Sequence, residues 1–288
     1  MRVVSSPAEL GSGRRAAAIG TFDGVHLGHR RVLDEALGAG LTSTVITFHP
    51  HPRTVLGRPV ELLTTVERRL ELFEKLGFDE ALVVPFDLEL AGTAAEDFAQ
   101  RFLLDAGVEV VAAGESFRFG HRRGGDLALL GRLGLDVRAV PLIEGVSSSV
   151  LRELVRAGDV PGAARLLGRP PEVEGTVVAG DARGEGLGFP TANLCIDGAL
   201  LVPARGIYAG ATLGRRAAVS IGVNPHYGGD TLRVEAFVLD FEGDLYGRRL
   251  VVELWRRLRD ERAFSDEAAL VAQIARDVEE TRAAEPPV

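Results

Sequence analysis

The sequence predicts an α/β chain of two parts, a doubly wound parallel sheet followed by a small antiparallel β-barrel with a terminal helix. Apolar β-type runs alternate with helical patterns in the first half, which is typical of a parallel sheet. After the Arg-Pro-Pro segment at residues 169–171, short β-type runs follow one another with glycine-rich turns and no helices between them. We therefore expect domains at residues 1–158 and 172–288, joined by a linker at residues 159–171.

The first half supplies the candidate parallel strands. These β-type runs lie at residues 16–22, 44–48, 81–86, 108–113 and 137–143. Between them, apolar residues recur at helical spacing over residues 66–76, and Thr64 and Thr93 each stand three residues before a glutamate, as in a capping box. Parallel sheets are covered by helices on both faces and bind ligands at the carboxyl ends of their strands.

The second half supplies the candidate barrel. Residues 149–157 and 160–167 predict two short helices, which end at Gly158 and Gly168. The β-type runs beyond the proline pair lie at residues 173–178, 207–213, 217–223, 232–241 and 250–258. We expect Ser265 to cap a final helix that packs on the barrel.

Composition narrows the class of protein. The chain of 288 residues has a formal net charge of −8, which disfavours nucleic acid as a partner. Its one cysteine, Cys195, excludes an intrachain disulfide and fits a reducing compartment. The first ten residues lack the apolar core of a signal peptide, and no run approaches the roughly 18 apolar residues of a membrane span. We expect a cytoplasmic monomer or weak homo-oligomer that acts on small molecules and not on membranes.

The segment GTFDGVHLGH at residues 20–29 is the most informative motif. It follows the first predicted strand, and its glycines let the backbone approach a ligand closely. The helix expected at residues 30–37 would offer free N–H groups and a favourable dipole to an anion. His26 and His29 would donate hydrogen bonds to phosphoryl oxygens as charge develops. An isolated H-x-G-H is more often a metal-binding or structural pair, but the full string is far more specific.

This string resembles the active-site motif of the HxGH nucleotidylyltransferase superfamily, and in particular that of its bacterial FAD synthetase branch. The resemblance implies that His26 and His29 are catalytic. It also implies that ATP phosphates are bound by Gly20, Phe22, Asp23, Gly24 and Gly28.

The segment SSSVLR at residues 147–152 resembles the S-S-T-x-I-R motif of the same family. Serines before a helix are ordinarily only caps, but here the resemblance implies that Ser147, Ser148 and Ser149 bind phosphate. It also implies that Arg152 is catalytic, since a guanidinium can fork onto phosphate oxygens.

Two further segments resemble flavin-side motifs of these enzymes. TFHPHP at residues 47–52 is similar to T-F-x-P-x-P, and GESFRFG at residues 114–120 is similar to G-x-x-F-x-F-G, with Ser116 where the family often has Asn or Asp. Ordinary turn chemistry is the alternative for both segments. The flavin-binding residues that the resemblance implies are His49, Pro50, Phe117 and Arg118.

In the second domain, the glycine-rich segment at residues 180–193 ends in Pro-Thr-Ala-Asn, which resembles the signature of riboflavin kinases. Glycine N–H groups can wrap phosphates. The Thr191 hydroxyl and the Asn193 carbonyl are hard oxygen ligands suited to Mg²⁺ that bridges ATP oxygens. The expected phosphate-binding residues are Gly180, Arg183, Gly188, Pro190 and Thr191.

Phosphorylation of an alcohol also needs a carboxylate that accepts the hydroxyl proton. Glu235 is the candidate, although strand alternation alone would make it a solvent-facing residue. The resemblance implies that it is the catalytic base and that Asn224, which precedes it in an Asn-Pro turn, contacts the flavin. Glu185, in place of the family's common arginine, and His226, in place of threonine, depart from the pattern.

Together the motifs make the chain similar to the bacterial bifunctional riboflavin kinase/FAD synthetase family. The barrel would convert riboflavin and ATP to FMN and ADP with Mg²⁺, and the first domain would convert FMN and ATP to FAD and pyrophosphate. A nucleotidyl transfer to pantetheine phosphate or glycerol phosphate is an alternative that explains only the first domain. A barrel that binds flavin without catalysis is another, and Glu185 and His226 motivate it.

Overall fold

The computed structural model of the protein describes residues 1–180, 186–223 and 232–288. The chain divides into two compact units, Met1–Ser148 and Ser149–Val288. The first holds a six-stranded sheet and the second a closed barrel, so the predicted fold class is confirmed. The predicted domain limits at residues 158 and 172 stay a prediction.

The first unit is built on a parallel sheet in the order β1-β4-β3-β2-β5-β6. Its strands are β1 Arg2–Val4, β2 Arg15–Ile19, β3 Thr42–His49, β4 Glu80–Pro85, β5 Val108–Gly114 and β6 Asp136–Val140. From β2 the chain adds β3 and β4 on one side and later β5 and β6 on the other. Ligands bind such sheets where the strand order reverses, which is here beside the carboxyl end of β2.

Both faces of this sheet are covered. Ala17 and Ile19 of β2 belong to one apolar cluster with Phe98 and Leu130, whereas Ala18 belongs to a second cluster on the opposite face. All five residues of β2 are buried, as a central parallel strand requires. The predicted strand at residues 16–22 ends earlier because the chain turns sharply at Gly20.

The helices of the first unit are α1 Leu27–Leu37, α2 Pro52–Val55, α3 Val66–Leu76, α4 Leu88–Ala91, α5 Ala95–Ala99 and α6 Leu127–Arg132. A π-helical turn, Gln100–Leu104, extends α5, and 3₁₀ turns lie at Pro7–Leu10 and His121–Arg123.

Two predicted caps in this unit are wrong. Thr65, not Thr64, caps α3 by accepting a hydrogen bond from Arg68 N at 3.0 Å. Helix α5 begins after Ala94 without a side-chain cap, and Thr93 instead donates its hydroxyl to the preceding turn. In both cases the N-cap position belongs to the next residue, because the hydroxyl of the predicted threonine has another hydrogen-bond partner.

The second unit is a barrel in the order β10-β11-β8-β7-β12-β9, in which every pair is antiparallel. Its strands are β7 Glu172–Val178, β8 Ala192–Cys195, β9 Gly206–Thr212, β10 Arg215–Val223, β11 Leu232–Val238 and β12 Arg249–Arg259. Alternate side chains such as Val234, Ala236 and Val238 fill its interior.

The helices that follow the first unit in the described residues include α7 Ser148–Ala157, α8 Val160–Leu167 and α9 Glu267–Ala283. Asp266 caps α9 through Ala269 N at 2.8 Å, so the predicted cap at Ser265 is wrong by one residue. The ion pair between Arg259 and Asp277, at 2.6 Å, fastens α9 to the end of β12.

Among the described helices, none combines the length and the apolar character that crossing a bilayer demands.

Candidate active sites

The loop that leaves β2 is a tight, left-handed turn at the predicted nucleotide position. Gly24 has φ +85°, and two residues with side chains, Phe22 at +49° and Val25 at +42°, also lie in the left-handed region. Such backbone is costly and persists only where surrounding contacts hold it. A Cβ at Gly20 would lie 3.0 Å from the Phe22 ring, which explains the glycine there.

The carboxylate of Asp23 fastens this loop to the segment before α3. Asp23 is 1% exposed, and its Oδ1 accepts from Leu63 N at 2.9 Å and from Thr64 N at 3.1 Å. The Thr64 hydroxyl donates to Asp23 and accepts from Gly24 N at 3.0 Å. In this structure Asp23 therefore shapes the loop, and its predicted contact with ATP stays a prediction.

His26 and His29 lie together at the start of α1. His26 is the N-cap residue, and its Nδ1 accepts from His29 N at 3.2 Å. The two rings stack with centroids 3.6 Å apart, and the edge of Phe22 meets His29 at 5.4 Å. A Cβ at Gly28 would press on the His26 ring at 3.2 Å, so glycine permits the stacking. The helix begins three residues earlier than predicted, at Leu27, and His26 uses one of its first N–H groups.

The three predicted serines stand where β6 has ended and α7 begins. Ser148 donates its hydroxyl to the carbonyl of Asp23 at 3.0 Å, which brings this segment to the glycine loop. Ser147 and Ser149 flank it in sequence. Arg152 lies one turn further along α7 and is only 8% exposed.

The predicted flavin-side residues follow the two strands on either side of β2. His49 ends β3 and is joined to Pro50 by a cis peptide bond, and both are exposed. Phe117 follows β5 and stacks on Phe119 at 5.6 Å, while Arg118 beside it is exposed. Because β3, β2 and β5 are parallel neighbours, these residues emerge at the same sheet edge as the glycine loop.

Sequence reasoning missed Arg69 of α3. Its Nη1 donates to the carbonyl of Thr21 at 2.6 Å, although the residue stands on the apolar face of the helix, between Val66 and Phe73. Burial lowers the pKa of Arg69, and the negative charge of Asp23 opposes that change. A cation on an apolar helix face was the signal in the sequence that could have found it.

In the barrel, the predicted kinase residues meet on the outer wall. Glu235 of β11 is paired in register with Asn193 of β8, and Glu235 alternates with the buried Val234 and Ala236. The Thr191 hydroxyl donates to Glu235 Oε2 at 3.4 Å, and Asn193 Nδ2 donates to the Thr191 carbonyl at 3.5 Å. Strand alternation does point Glu235 outward, yet into a cluster of polar side chains.

Glycines flank this cluster. A Cβ on Gly180 would collide with the amide of Asn193, and Gly188 has φ +85° shortly before Pro190, which is exposed. The predicted residues Arg183 and Asn224, like Glu185 and His226, lie outside the described residues.

The donor set near Thr191 is made of oxygen atoms from Thr191, Asn193 and Glu235. No group of three or more His, Cys, Asp or Glu side chains suited to a metal occurs in residues 1–180, 186–223 and 232–288. One hydroxyl, one amide oxygen and one carboxylate suit a hard cation that keeps most of its water and phosphate ligands. These residues therefore fit Mg²⁺ held mainly by a nucleotide.

Two family models match the chain, FAD synthetase over residues 11–150 and riboflavin kinase over residues 167–284. The bifunctional riboflavin kinase/FMN adenylyltransferase of Listeria monocytogenes serovar 1/2a is 33% identical over 290 residues, which cover 93% of this chain and 92% of that protein. The protein of the same name from Bacillus subtilis (strain 168) is 34% identical, with coverage of 91% and 90%.

The crystal structure of a macrolide-efflux protein from Streptococcus pneumoniae is similar, with a TM-score of 0.84 and 29% identity over 97% of this chain and 98% of that one. Its name describes that protein alone. Since both family models match in order, and relatives above 30% identity extend along nine-tenths of its length, this chain belongs to the bifunctional riboflavin kinase/FMN adenylyltransferase family.

Proposed function

We propose that the loop after β2 is the site of FMN adenylylation and that the Thr191–Glu235 cluster is the site of riboflavin phosphorylation. As a member of its family, the chain is a transferase that converts riboflavin to FMN and FMN to FAD with ATP. The observation that supports two separate sites is that the His26–His29 pair lies in the first compact unit and the Thr191–Glu235 cluster in the second.

For the kinase reaction, Glu235 is the proposed base. Its carboxylate would accept the proton of the terminal riboflavin hydroxyl while that oxygen attacks the γ-phosphorus of ATP. The hydrogen bond from Thr191 fixes one carboxylate oxygen, so the other is the proton acceptor. Phosphoryl transfer depends on such positioning of groups by the protein and not on a covalent bond to it.

Thr191 and Asn193 are the proposed Mg²⁺ ligands. A hydroxyl that donates to Glu235 still has lone pairs for a cation, and Asn193 donates through Nδ2, so its Oδ1 is the ligand atom. When bound there, Mg²⁺ would supply positive charge that stabilises the negative charge of the phosphate groups. Gly180, Arg183, Gly188 and Pro190 would complete the phosphate site, and Asn224 would contact the flavin.

For adenylyl transfer, no protein nucleophile is needed, because the FMN phosphate attacks the α-phosphorus of ATP and pyrophosphate leaves. His26 accepts at Nδ1, so its Nε2 carries the proton and is the donor to the phosphoryl oxygens. His29 and Arg152 are the proposed partners in stabilising the added negative charge. The loop glycines with Phe22 and Asp23, and the serines at residues 147–149, would bind the phosphates.

The flavin of FMN would lie against the segments that follow β3 and β5. His49, Pro50, Phe117 and Arg118 offer exposed or half-buried surface there. A flat ring such as isoalloxazine gains by stacking on an aromatic side chain, and Phe117 already lies parallel to Phe119.

We also propose a cytoplasmic location and a monomer or weak homo-oligomer. The exposed single cysteine supports a reducing compartment. Analytical ultracentrifugation of the purified protein at micromolar concentration tests the oligomeric state. A tight oligomer would contradict the proposed monomer or weak homo-oligomer.

The first test incubates the protein with riboflavin, ATP and Mg²⁺ and separates the flavins by chromatography over time. FMN that appears before FAD is the expected result. Failure to convert riboflavin, with conversion of added FMN intact, would instead make the barrel a flavin-binding module.

Single substitutions then assign each reaction to its site. We expect His29→Ala to lower FAD formation from FMN by about 100-fold or more while FMN formation continues, because one charge-stabilising donor is lost. We expect Glu235→Ala to lower FMN formation from riboflavin while conversion of added FMN to FAD continues. Equal loss of both activities in either folded variant would contradict the two-site assignment.

A further inference from the structure

Arg69 is a buried cation that the proposed chemistry does not use. Its side chain is 0% exposed, and its Nη1 donates to the Thr21 carbonyl at 2.6 Å and to Thr47 Oγ1 at 3.4 Å. Its Nε donates to the carbonyl of Thr65 at 3.3 Å. The guanidinium therefore lies under the first residues of the glycine loop, at the carboxyl ends of β2 and β3.

This placement costs stability. Within the part of the chain that the structure describes, the buried Nη2 of Arg69 has no hydrogen-bond partner. An unsatisfied buried donor destabilises the folded state, and an apolar side chain of similar volume is often more favourable at such a position. The apolar neighbours on the same helix, Phe73 and Leu72, show that the position borders a core that could take such a side chain. A role in packing alone does not explain an arginine here.

A short chain of contacts leads from Arg69 to His29. The Thr21 carbonyl receives hydrogen bonds from both Arg69 and Thr47, the latter at 3.2 Å. The next residue, Phe22, takes the left-handed conformation at φ +49°. Its ring meets His29 edge-on at 5.4 Å and Phe73 at 5.8 Å. Holding this carbonyl fixes the peptide plane that leads into the strained residue, and so restrains the backbone from which the Phe22 ring projects.

We propose that Arg69 is a positioning residue for adenylyl transfer, which holds the Thr21 carbonyl so that the Phe22 ring keeps His29 in its reactive orientation. This inference rests on the proposed role of His29. In this role Arg69 touches neither substrate nor phosphate. It contributes to the rate of the chemical step rather than to substrate binding. A misplacement of about 1 Å at a charge-stabilising group is enough to slow such a step strongly.

The test compares Arg69→Met, Arg69→Lys and Arg68→Met for conversion of FMN to FAD. We expect Arg69→Met to lower kcat about tenfold or more, with KM for ATP and for FMN within about threefold of the parent. Arg69→Lys should recover most of the rate, because an ammonium group can still donate to the Thr21 carbonyl. Arg68, the matched control, is also buried but pairs with Glu71 at 2.7 Å, so Arg68→Met should leave kcat unchanged.

Conversion of riboflavin to FMN by the same samples reports on the barrel and shows that equal amounts of protein are compared. Unchanged kcat in folded Arg69→Met, or an equal fall in Arg68→Met, would overturn the inference. Should Arg69→Met not fold, Thr47→Val decides instead, since it removes the second donor to the Thr21 carbonyl. A fall in kcat then supports the inference and an unchanged kcat overturns it.

A double substitution tests whether Arg69 acts through His29, separately from whether His29 itself has its proposed role. If Arg69 acts through His29, Arg69→Met should change the residual rate of His29→Ala by less than about twofold. An equal fall in both backgrounds would show that Arg69 acts independently and would overturn the inference. If His29→Ala itself keeps the parental rate, the proposed role of His29 fails, whatever Arg69→Met does.

Discussion

Glycine residues set how closely side chains pack in both candidate sites. Gly28 lets the two histidine rings stack, and Gly180 leaves room for the Asn193 amide. Gly198, in contrast, has open space around its Cβ position. A methyl group added at these positions therefore has very different consequences.

We expect Gly180→Ala to lower FMN formation at least tenfold, because the new Cβ would displace the side chain of the proposed Mg²⁺ ligand Asn193. Conversion of added FMN to FAD should continue at the parental rate. The matched control, Gly198→Ala, should leave both rates unchanged. Both rates are measured by chromatographic separation of the flavins, and an unaffected kinase rate in Gly180→Ala would remove Asn193 from the proposed site.

His26 is the N-cap of α1 and is proposed to donate to the phosphoryl oxygens, and substitution can separate these two roles. Asparagine is a good N-cap and can accept the hydrogen bond from His29 N, but it lacks the Nε2 donor. We expect His26→Asn to keep slow amide exchange in the first turn of α1 and to lose FAD formation. His26→Ala should lose both the slow amide exchange and FAD formation, and α1 should be less stable by about 1 kcal/mol. If His26→Asn still makes FAD at the parental rate, His26 serves only as the cap.

At the scale of elements, hydrogen bonds at strand ends fix the register of the sheet. Asp79, directly before β4, accepts from Ser43 N at 2.9 Å and from its hydroxyl at 2.8 Å. These bonds to Ser43 hold the pKa of Asp79 below its ordinary value. A carboxylate of this kind stabilises the fold above its unfolded pKa and loses that effect as pH falls through the folded pKa.

We therefore expect Asp79→Asn to be less stable than the parent at pH 7, by about 1 kcal/mol or less because the residue is largely exposed. The difference should shrink as the pH falls from the unfolded pKa of about 3.9 through the lower pKa of the folded Asp79 carboxyl. Guanidinium unfolding of the first unit at several pH values measures this difference in the free energy of unfolding between Asp79→Asn and the parent. A difference that stays constant from pH 7 to 3 would exclude this carboxylate as its source.

The boundaries of elements show where local patterns stop being informative. The sequence predicts Thr64 as the cap of α3, but its hydroxyl donates to Asp23 and the adjacent Thr65 is the cap instead. Strands β1 and β8 were not predicted, because three or four residues are too few for alternation to show. Both strands are held by pairing with distant segments.

At the scale of the whole molecule, the histidine pair of the proposed adenylylation site and the Thr191–Glu235 cluster lie in separate compact units, each with its own apolar core. A substitution in one site should therefore leave the other unit folded and active. Each single-site variant is then a source of one activity alone.

We expect a mixture of His29→Ala and Glu235→Ala to make FAD from riboflavin, although neither variant does so by itself. The first would release FMN, which the second would adenylylate after a lag that shortens as the protein concentration rises. Time courses resolved by chromatography measure the lag. Absence of FAD from the mixture, with both single activities present, would mean that FMN does not pass through solution.

The sequence by itself determined the two-part architecture, the order of the motifs and the family, because periodicity and short motifs are local properties of the chain. Only the tertiary structure decided that Arg69 and Thr64 shape the glycine loop from 48 and 40 residues away. It alone brought Thr191 to Glu235 across 44 residues. The physical reason is that such contacts depend on strand register and on burial, and pairings between distant residues leave no trace in a local pattern.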